Sequence, residues 1–115
     1  MSDSAFLDVL GETLPDGAVL RPMGDIDLST SPILRYELSQ QQQKSPDRLI
    51  IDLCEVDYMD SSGVATLIES MQVARRYGGK LILCCMREKV RSIFEIARLE
   101  SVFTIADTFD EARTL

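Results

Sequence analysis

The sequence predicts an α/β fold: a mixed, mainly parallel sheet of about five strands with about four helices packed on it. Short apolar runs rich in branched residues alternate with segments of helical periodicity, an order typical of parallel strands joined by right-handed crossovers. The length of 115 residues matches one domain, and a content of 45% apolar and 27% charged residues is ordinary for a globular protein. We therefore expect one domain over residues 1–115, with residues 1–18 forming an N-terminal extension that includes the first strand.

The chain begins with a predicted hairpin. Apolar stretches at residues 6–10 and 18–20 flank Pro15-Asp16-Gly17, three residues that favour a turn. The regular alternation of strands and helices starts only after this hairpin. We therefore expect its first strand to pair antiparallel at an edge of the sheet.

The next three elements are a helix, a strand and a second helix. Ser31 followed by Pro32 is typical of a helix N-cap and a first-turn proline, and this helix should run to about Gln42. The branched run at 49–53 fits a buried strand. The helix at 64–77 has the clearest periodicity, and a glycine pair follows its last residue as a left-handed cap. Its apolar stripe consists of Val64, Leu67, Ile68, Met71 and Ala74.

Two more strands and two more helices are predicted in the last third of the chain. Residues 81–86 are apolar without alternation, which is typical of a strand covered on both faces. A strand is also expected at 102–105 and a short closing helix at 107–115. The helix between the two strands has an apolar face made of Val90, Ile93, Phe94 and Ala97.

Acidic side chains are concentrated in the first half of the chain. Residues 1–60 hold 12 acidic and four basic side chains, and residues 61–115 hold seven and eight, so the halves carry −8 and +1 of the total of −7. A strongly acidic chain is a poor match for phosphate backbones, so we expect no nucleic-acid partner. The acidic half is either an ordinary solvated surface or a surface suited to a basic partner.

The chain contains no histidine. This excludes Ser-His-Asp and Cys-His catalytic systems and removes the commonest zinc ligand. A nucleophilic serine would need a lysine as its base, and no motif brings Lys44, Lys80 or Lys89 to a serine. No glycine-rich P-loop is present, which argues against nucleotide binding. We predict a protein that is not an enzyme and that needs neither a cofactor nor a metal.

The cysteines and the chain start favour a cytoplasmic location. Cys54, Cys84 and Cys85 cannot pair completely and show no CxxC spacing, so we expect free thiols in a reducing compartment. Adjacent residues on a strand face opposite sides, so Cys84 and Cys85 should be unable to bind one metal ion. The first residues lack the features of a signal peptide, and no stretch approaches the ~20 apolar residues of a membrane span. We expect no membrane insertion.

The candidate site is the segment Asp57–Gly63, between the strand at 49–53 and the helix at 64–77. In an open α/β sheet, binding groups gather at the carboxyl ends of the strands. Asp60 or Ser61 can cap the helix, and a phosphate on a first-turn serine would accept bonds from unpaired N–H groups. It would add about −1.5 to −2 charge and repel a partner docked there. Alternatively, these residues serve only as a helix cap.

This segment carries a family resemblance. The stretch Asp57-Tyr58-Met59-Asp60-Ser61-Ser62-Gly63-Val64 resembles the signature of the STAS domain, and more narrowly that of the bacterial anti-sigma factor antagonists. The resemblance covers most of the chain, from about Val19 onward. Its supporting matches are Gly24 to Asp27 with Thr30, the glycines at 78–79, and Val90 to Leu99 followed by Phe103 and Thr108 to Ala112.

The resemblance implies a STAS fold of mixed strands with helices packed on it, and it also has departures. Ala97 and Arg98 stand where many members carry a small residue and a glycine before the leucine. The first ~18 residues match nothing in the family pattern. Both departures bear on which partner the protein binds and leave the implied fold unchanged.

The resemblance implies a role for each matched residue. Ser61, or less favourably Ser62, matches the position phosphorylated by the cognate anti-sigma factor, a serine kinase. Unphosphorylated antagonist binds that kinase and frees a sigma factor; phosphorylated antagonist lets go, and a serine phosphatase resets it. Gly63 either lets the kinase approach the backbone closely or packs tightly, and Asp60 fixes the turn by capping. The implied partner-binding residues are Asp25, Asp27, Thr30, Asp60, Ser62 and Gly63.

A second function is compatible with the same motif. STAS domains also work by binding alone, as interaction subunits of a sensory complex or beside a transporter. No transmembrane segment is fused to this sequence, which argues mildly against the transporter form. The sequence thus predicts transcription control by partner switching, with phosphorylation-independent binding as the alternative.

Overall fold

A computed structural model describes residues 6–115, which form a five-stranded sheet with four helices. The first five residues of the predicted N-terminal extension lie outside the described part. Within residues 6–115, no helix has both the length and the apolar character needed to cross a bilayer. The strands are β1 (Asp8–Leu14), β2 (Gly17–Met23), β3 (Arg48–Asp52), β4 (Lys80–Cys84) and β5 (Thr104–Ala106). The helices are α1 (Ser31–Gln42), α2 (Ser61–Tyr77), α3 (Glu88–Ile96) and α4 (Phe109–Ala112).

The strands lie side by side in chain order, β1-β2-β3-β4-β5. β1 pairs antiparallel with β2, and each later strand runs parallel to the strand before it. The predicted mixed and mainly parallel sheet with an antiparallel edge is therefore confirmed. The three crossover helices α1, α2 and α3 bury their apolar sides in one large core, because right-handed crossovers that advance in one direction fall on the same face.

α4 covers the opposite face of the sheet. The pleat of β3 sends Leu49 and Ile51 into the large core and Ile50 into a second cluster beside α4. β4 behaves in the same way, since Leu83 enters the large core and Cys84 the second cluster. The prediction that β4 is covered on both faces is thus confirmed.

The predicted ends of the sheet are shifted. β1 spans Asp8–Leu14 instead of 6–10, and it pairs with β2 along its whole length up to the turn. The exposed positions of β1 are mostly polar residues or glycine, so an apolar run in the sequence does not show where this strand begins and ends. β5 starts at Thr104 instead of 102, because the N–H groups of Val102 and Phe103 donate to the carbonyl of Leu99 and form a turn.

Two helix starts also differ from prediction. The N-cap of α1 is Thr30, not Ser31, and its hydroxyl makes no cap bond to the helix. That hydroxyl instead donates to the carbonyl of Asp25 at 2.8 Å and accepts from the N–H of Asp27 at 2.9 Å. α2 begins three residues earlier than the predicted residue 64, at Ser61. At the other end of the chain, α4 forms only within 109–112 of the predicted 107–115.

Helices α2 and α3 end with the same hydrogen-bond pattern. After α2, Gly79 N donates to Ala74 O at 2.9 Å, and Gly78 has the left-handed φ of 82° that the sequence predicts. After α3, Leu99 N donates to the carbonyl of the buried Phe94 at 2.8 Å. Arg98 there has a φ of 57°. The position where the family often carries glycine therefore has a conformation that favours glycine, although arginine occupies it.

The expectation for the adjacent cysteines is wrong. β4 ends at Cys84, and Cys85 adopts a left-handed φ of 62°, so the strand alternation stops between them. Their two sulfur atoms and a carboxylate oxygen of Asp52 all lie within 4.8 Å of one another. All three cysteines are free thiols, as predicted. Burial raises the pKa of each of them, that of Cys54 to about 11.

Candidate functional site

Two loops meet at the carboxyl edge of the sheet, and we name them the Asp27 loop (residues 24–30) and the serine loop (residues 57–63). Ile26 and Met59 form an isolated parallel bridge between them. Ile26 N donates to Tyr58 O at 2.9 Å, and Asp60 N donates to Ile26 O at 3.0 Å. Ile26 and Met59 are fully buried, so the bridge is anchored in the large core. The two loops therefore hold each other in place.

Asp60 caps helix α2 through both its side chain and its carbonyl. One carboxylate oxygen accepts from Ser62 N at 2.9 Å and from Ser62 Oγ at 2.5 Å. The carbonyl of Asp60 accepts from Gly63 N and Val64 N. The hydrogen bond from the Ser62 hydroxyl is the main reason that the pKa of Asp60 lies below its ordinary value. The predicted capping role of Asp60 is thus confirmed, and the cap is an ionised carboxylate at neutral pH.

The two serines of the turn have different environments. Ser61 is exposed and is the first residue of α2. Ser62 is half-buried, and its hydroxyl is already engaged with Asp60. A group attached to the Ser61 oxygen would sit at the positive end of the helix, beside first-turn N–H groups. Ser61 is therefore the accessible hydroxyl of the pair.

Asp27 organises its own loop. One carboxylate oxygen accepts from Ser29 Oγ at 2.7 Å, from Ser29 N at 2.9 Å and from Thr30 N at 3.1 Å. The Ser29 hydroxyl is the main cause of the lowered pKa of Asp27. The carbonyl of Asp27 accepts from Ser31 N at 2.8 Å, at the start of α1. Asp25, two residues earlier, is exposed at the surface of the same loop.

Gly63 and Thr30 lie inside the site rather than on its surface. A Cβ atom on Gly63 would lie 2.6 Å from Met59 Cγ and 2.7 Å from Ile26 Cγ2. Of the two roles open for Gly63, tight packing is therefore the one with a visible cause. Thr30 is only 6% exposed and joins both ends of the Asp27 loop through its hydroxyl. Both residues shape the two loops from inside.

The sequence analysis missed two residues of the candidate site, Leu28 and Arg87, and gave no role to a third, Tyr58. Leu28 is 78% exposed and Tyr58 is 49% exposed, so each loop presents one large apolar side chain. Arg87, the N-cap of α3, donates from Nε to Cys54 O at 2.7 Å and forms an ion pair with Asp57. The sequence did offer one indication for Leu28, because it is an apolar residue in a polar segment that lacks helical or strand periodicity. No local pattern distinguishes Arg87.

A consecutive five-stranded sheet with a capped Asp-Ser-Ser-Gly turn at its carboxyl edge defines the STAS class of α/β domains. A model of that family, the STAS domain, matches residues 8–112. The expectation that the first ~18 residues match nothing in the family pattern is therefore wrong for residues 8–18, which form β1, the turn after it and the start of β2. The chain therefore belongs to the STAS domain family.

Two relatives narrow the similarity to one group within the family, the anti-sigma factor antagonists. The anti-sigma-B factor antagonist of Listeria monocytogenes is 32% identical over 88 residues, which cover 76% of this chain and 77% of that protein. The anti-sigma-B factor antagonist of Bacillus subtilis is 31% identical over 83 residues, which cover 72% of this chain and 75% of that protein.

Solved structures of anti-sigma factor antagonists have the same fold. The antagonist from Mycobacterium paratuberculosis matches with a TM-score of 0.87 at 24% identity, over 98% of this chain and 95% of that chain. SpoIIAA of Bacillus in its phosphorylated form matches with a TM-score of 0.71 at 24% identity, over 93% of this chain and 97% of that chain. These two likenesses show that the chain shares the fold of those structures.

Proposed function

We propose that this protein is an anti-sigma factor antagonist whose partner binding is switched by phosphorylation of Ser61. The unphosphorylated protein binds an anti-sigma factor with serine kinase activity and so frees a sigma factor. The phosphorylated protein releases the kinase, and a serine phosphatase restores the binding form. The observation that carries this proposal is the exposed hydroxyl of Ser61 on the first residue of α2, directly after the Asp60 cap. The cytoplasm stays the predicted location.

The relatives support the antagonist part of the proposal. Proteins from Listeria monocytogenes and Bacillus subtilis that are 32% and 31% identical to this chain are named anti-sigma-B factor antagonists. The likeness to SpoIIAA, which has been solved in a phosphorylated form, is consistent with a phosphorylated serine on this fold. Phosphorylation of Ser61 itself rests on the local geometry of the turn.

A phosphate on Ser61 changes the surface while it leaves the fold intact. The N-terminus of a helix tolerates an anion, because its N–H groups and its dipole both favour negative charge. The phosphate adds about −1.5 to −2 charge beside the ionised carboxylate of Asp60. A partner that docks on the serine loop then meets added bulk and like-charge repulsion. Release thus follows without any rearrangement of the antagonist.

The docking surface that we propose combines acidic and apolar groups of both loops. Asp25, Asp27, Asp60 and Ser62 supply polar groups, and Thr30 and Gly63 support them from inside. Leu28 and Tyr58 add exposed apolar area that a partner can cover. Buried apolar side chains ringed by polar groups are typical of the residues that dominate protein interfaces. In this arrangement Ser61 accepts a phosphoryl group and performs no chemistry of its own.

The phosphorylation step is tested with a serine-kinase anti-sigma factor from the same genome. The full chain is incubated with that kinase and ATP, and phosphate is mapped by mass spectrometry. We expect one phosphate on Ser61 in the wild type and none in Ser61→Ala. Ser62→Ala is the matched control, because it removes the neighbouring hydroxyl and leaves the acceptor in place, so its labelling should persist.

Two results would contradict the proposal. Phosphate on Ser62 alone would show that Ser62, and not Ser61, is the acceptor. A kinase that binds the protein without labelling either serine would favour the phosphorylation-independent interaction subunit. A pull-down before and after phosphatase treatment separates these cases, because only a switch gives partner binding that depends on the treatment.

A further inference from the structure

Three groups that can ligate a metal ion converge outside the serine loop, on the face of the sheet that α4 covers. Asp52 is the last residue of β3 and Cys84 the last residue of β4, and the two are register partners in the parallel pair. Register partners project to the same face, so the carboxylate and the thiol meet there. Cys85 brings a second thiol, and one donor atom from each residue lies within 4.8 Å of the other two.

The backbone of Cys85 is what places the second thiol in this group. Its φ of 62° is a left-handed conformation that non-glycine residues adopt at a cost, and such conformations concentrate at functional sites. An extended Cys85 would direct its thiol to the opposite face of the sheet. The N–H of Cys85 still donates to Ala106 O at 3.3 Å, so the residue stays attached to β5.

The carboxylate of Asp52 is held in a fixed orientation by two donors. Arg21 Nε donates to one of its oxygens at 2.9 Å, and Cys54 N donates to the other at 3.0 Å. Each carboxylate oxygen has a second lone pair that can ligate an ion. Carboxylates that bind metals are commonly oriented by such outer hydrogen bonds. Arg21 also balances part of the negative charge that two thiolates would add.

We propose that Asp52, Cys84 and Cys85 form a binding site for a thiophilic divalent cation, and that this cation is Zn²⁺. On binding, two Zn–S bonds and one Zn–O bond form, the two S–H bonds break, and both protons pass to solvent. Two thiolates at ~2.3 Å from a tetrahedral zinc ion lie about 3.8 Å apart, so only small movements of the two sulfur atoms are needed. The fourth position is open to water, and the half-buried Cys85 provides access from solvent.

The site is tested by zinc competition against a chromophoric chelator, with the full chain reduced and free of metal. We expect one Zn²⁺ per chain, with affinity at least about tenfold lower in Cys85→Ser and in Asp52→Asn, because each variant removes one ligand. Glu100→Gln is the matched control, since it removes an exposed carboxylate outside the three-residue group and should keep the wild-type affinity. Circular dichroism of each variant confirms that it is folded.

Two further measurements report on the ligands themselves. Calorimetry in buffers of different ionisation enthalpy should give about two protons released per Zn²⁺ near neutral pH. Cd²⁺ should produce a thiolate charge-transfer band that is weakened in Cys85→Ser and unchanged in Glu100→Gln. Absence of stoichiometric zinc binding, or wild-type zinc affinity in both Cys85→Ser and Asp52→Asn, would overturn the proposal. None of these outcomes depends on Ser61 or on the proposed partner switch.

Discussion

The Asp27 loop and the serine loop contain the same local structure built on different central residues. In Asp27-Leu28-Ser29 and in Asp60-Ser61-Ser62, the aspartate accepts from the N–H and the hydroxyl of the serine two positions later. In both, that hydroxyl is the main cause of a lowered aspartate pKa. The central residue of each is exposed, and it is leucine in one loop and serine in the other.

The two loops differ in the element that comes after the turn. Asp60 is the N-cap of a helix of 17 residues, so an anion on Ser61 meets the helix dipole. Asp27 lies three residues before the Thr30 N-cap of α1 and only organises the connection to it. One turn is therefore suited to carry a phosphate, and the other to present an apolar side chain. The same Asp-x-Ser turn therefore has different properties at its two positions in the fold.

The largest expected effect is at Ser61. We expect Ser61→Asp to bind the kinase partner at least about 100-fold more weakly than Ser61→Ala, a difference of about 2.7 kcal/mol. A carboxylate there imitates part of the phosphate charge, whereas alanine keeps the surface of the binding form. Titration calorimetry with the purified partner measures both. Gln72→Asp, on the exposed side of α2, is the charge control and should bind as the wild type does. Equal affinities of the two Ser61 variants would contradict the proposed release of the partner by charge and bulk at Ser61.

The next effect concerns the two aspartates. Asp60→Ala removes a cap from α2 and should lower the free energy of unfolding by about 1–2 kcal/mol. Asp27→Ala should cost less, because no helix dipole stabilises its carboxylate. Urea denaturation of both variants gives the comparison. If Asp27→Ala were the more damaging change, the distinction between a helix cap and a loop organiser would be wrong.

A smaller effect is expected at Leu28. Leu28→Ala should weaken partner binding by about tenfold, because it removes apolar area from the proposed docking surface. The free energy of unfolding should change by less than ~0.5 kcal/mol, since the side chain is exposed in the free protein. The same two assays separate binding from stability. An unchanged affinity would exclude the Asp27 loop from the docking surface.

The smallest effect is the acid response of the two turns. The folded pKa values of Asp27 and Asp60 lie below the ordinary value of 3.8, so both carboxylates stabilise the fold above about pH 4. That contribution is lost as the pH falls through the folded pKa values. Asp60→Asn keeps an acceptor at the cap but does not titrate. Its free energy of unfolding should therefore fall less than that of the wild type below about pH 4, as measured by urea denaturation at several pH values.

Periodic and branched segments of the sequence were sufficient to predict the interior of the fold. The stripe from Val64 to Ala74 and the runs that became β3 and β4 were correctly assigned, because burial imposes a strong repeat on them. The Asp-Ser-Ser-Gly motif indicated the capped turn of the candidate site in the same way, because a cap is a local feature of the chain.

The features that were missed depend on tertiary contacts. The left-handed conformation of Cys85 places two adjacent thiols together, and nothing in the local sequence indicates it. The Thr30 hydroxyl bonds to the backbone of Asp25 and Asp27, so Thr30 is the N-cap of α1 without making the side-chain bond that marks a cap. The exposure of Leu28 depends on how two loops from distant parts of the chain meet. Pattern analysis cannot supply these facts, because each is a property of the assembled fold.

The consecutive strand order has a consequence for how the protein is made. Each strand from β2 onward pairs with the strand that precedes it in the chain. A chain emerging from the ribosome can therefore add each new strand to an edge that already exists, without waiting for a later segment. Synthesis at about 5–20 residues per second leaves ample time for each addition. The Asp27 loop is released first, so its Ile26 backbone is available when the serine loop arrives. The order of translation thus matches the order in which the Asp60-Ser61-Ser62 turn acquires its shape.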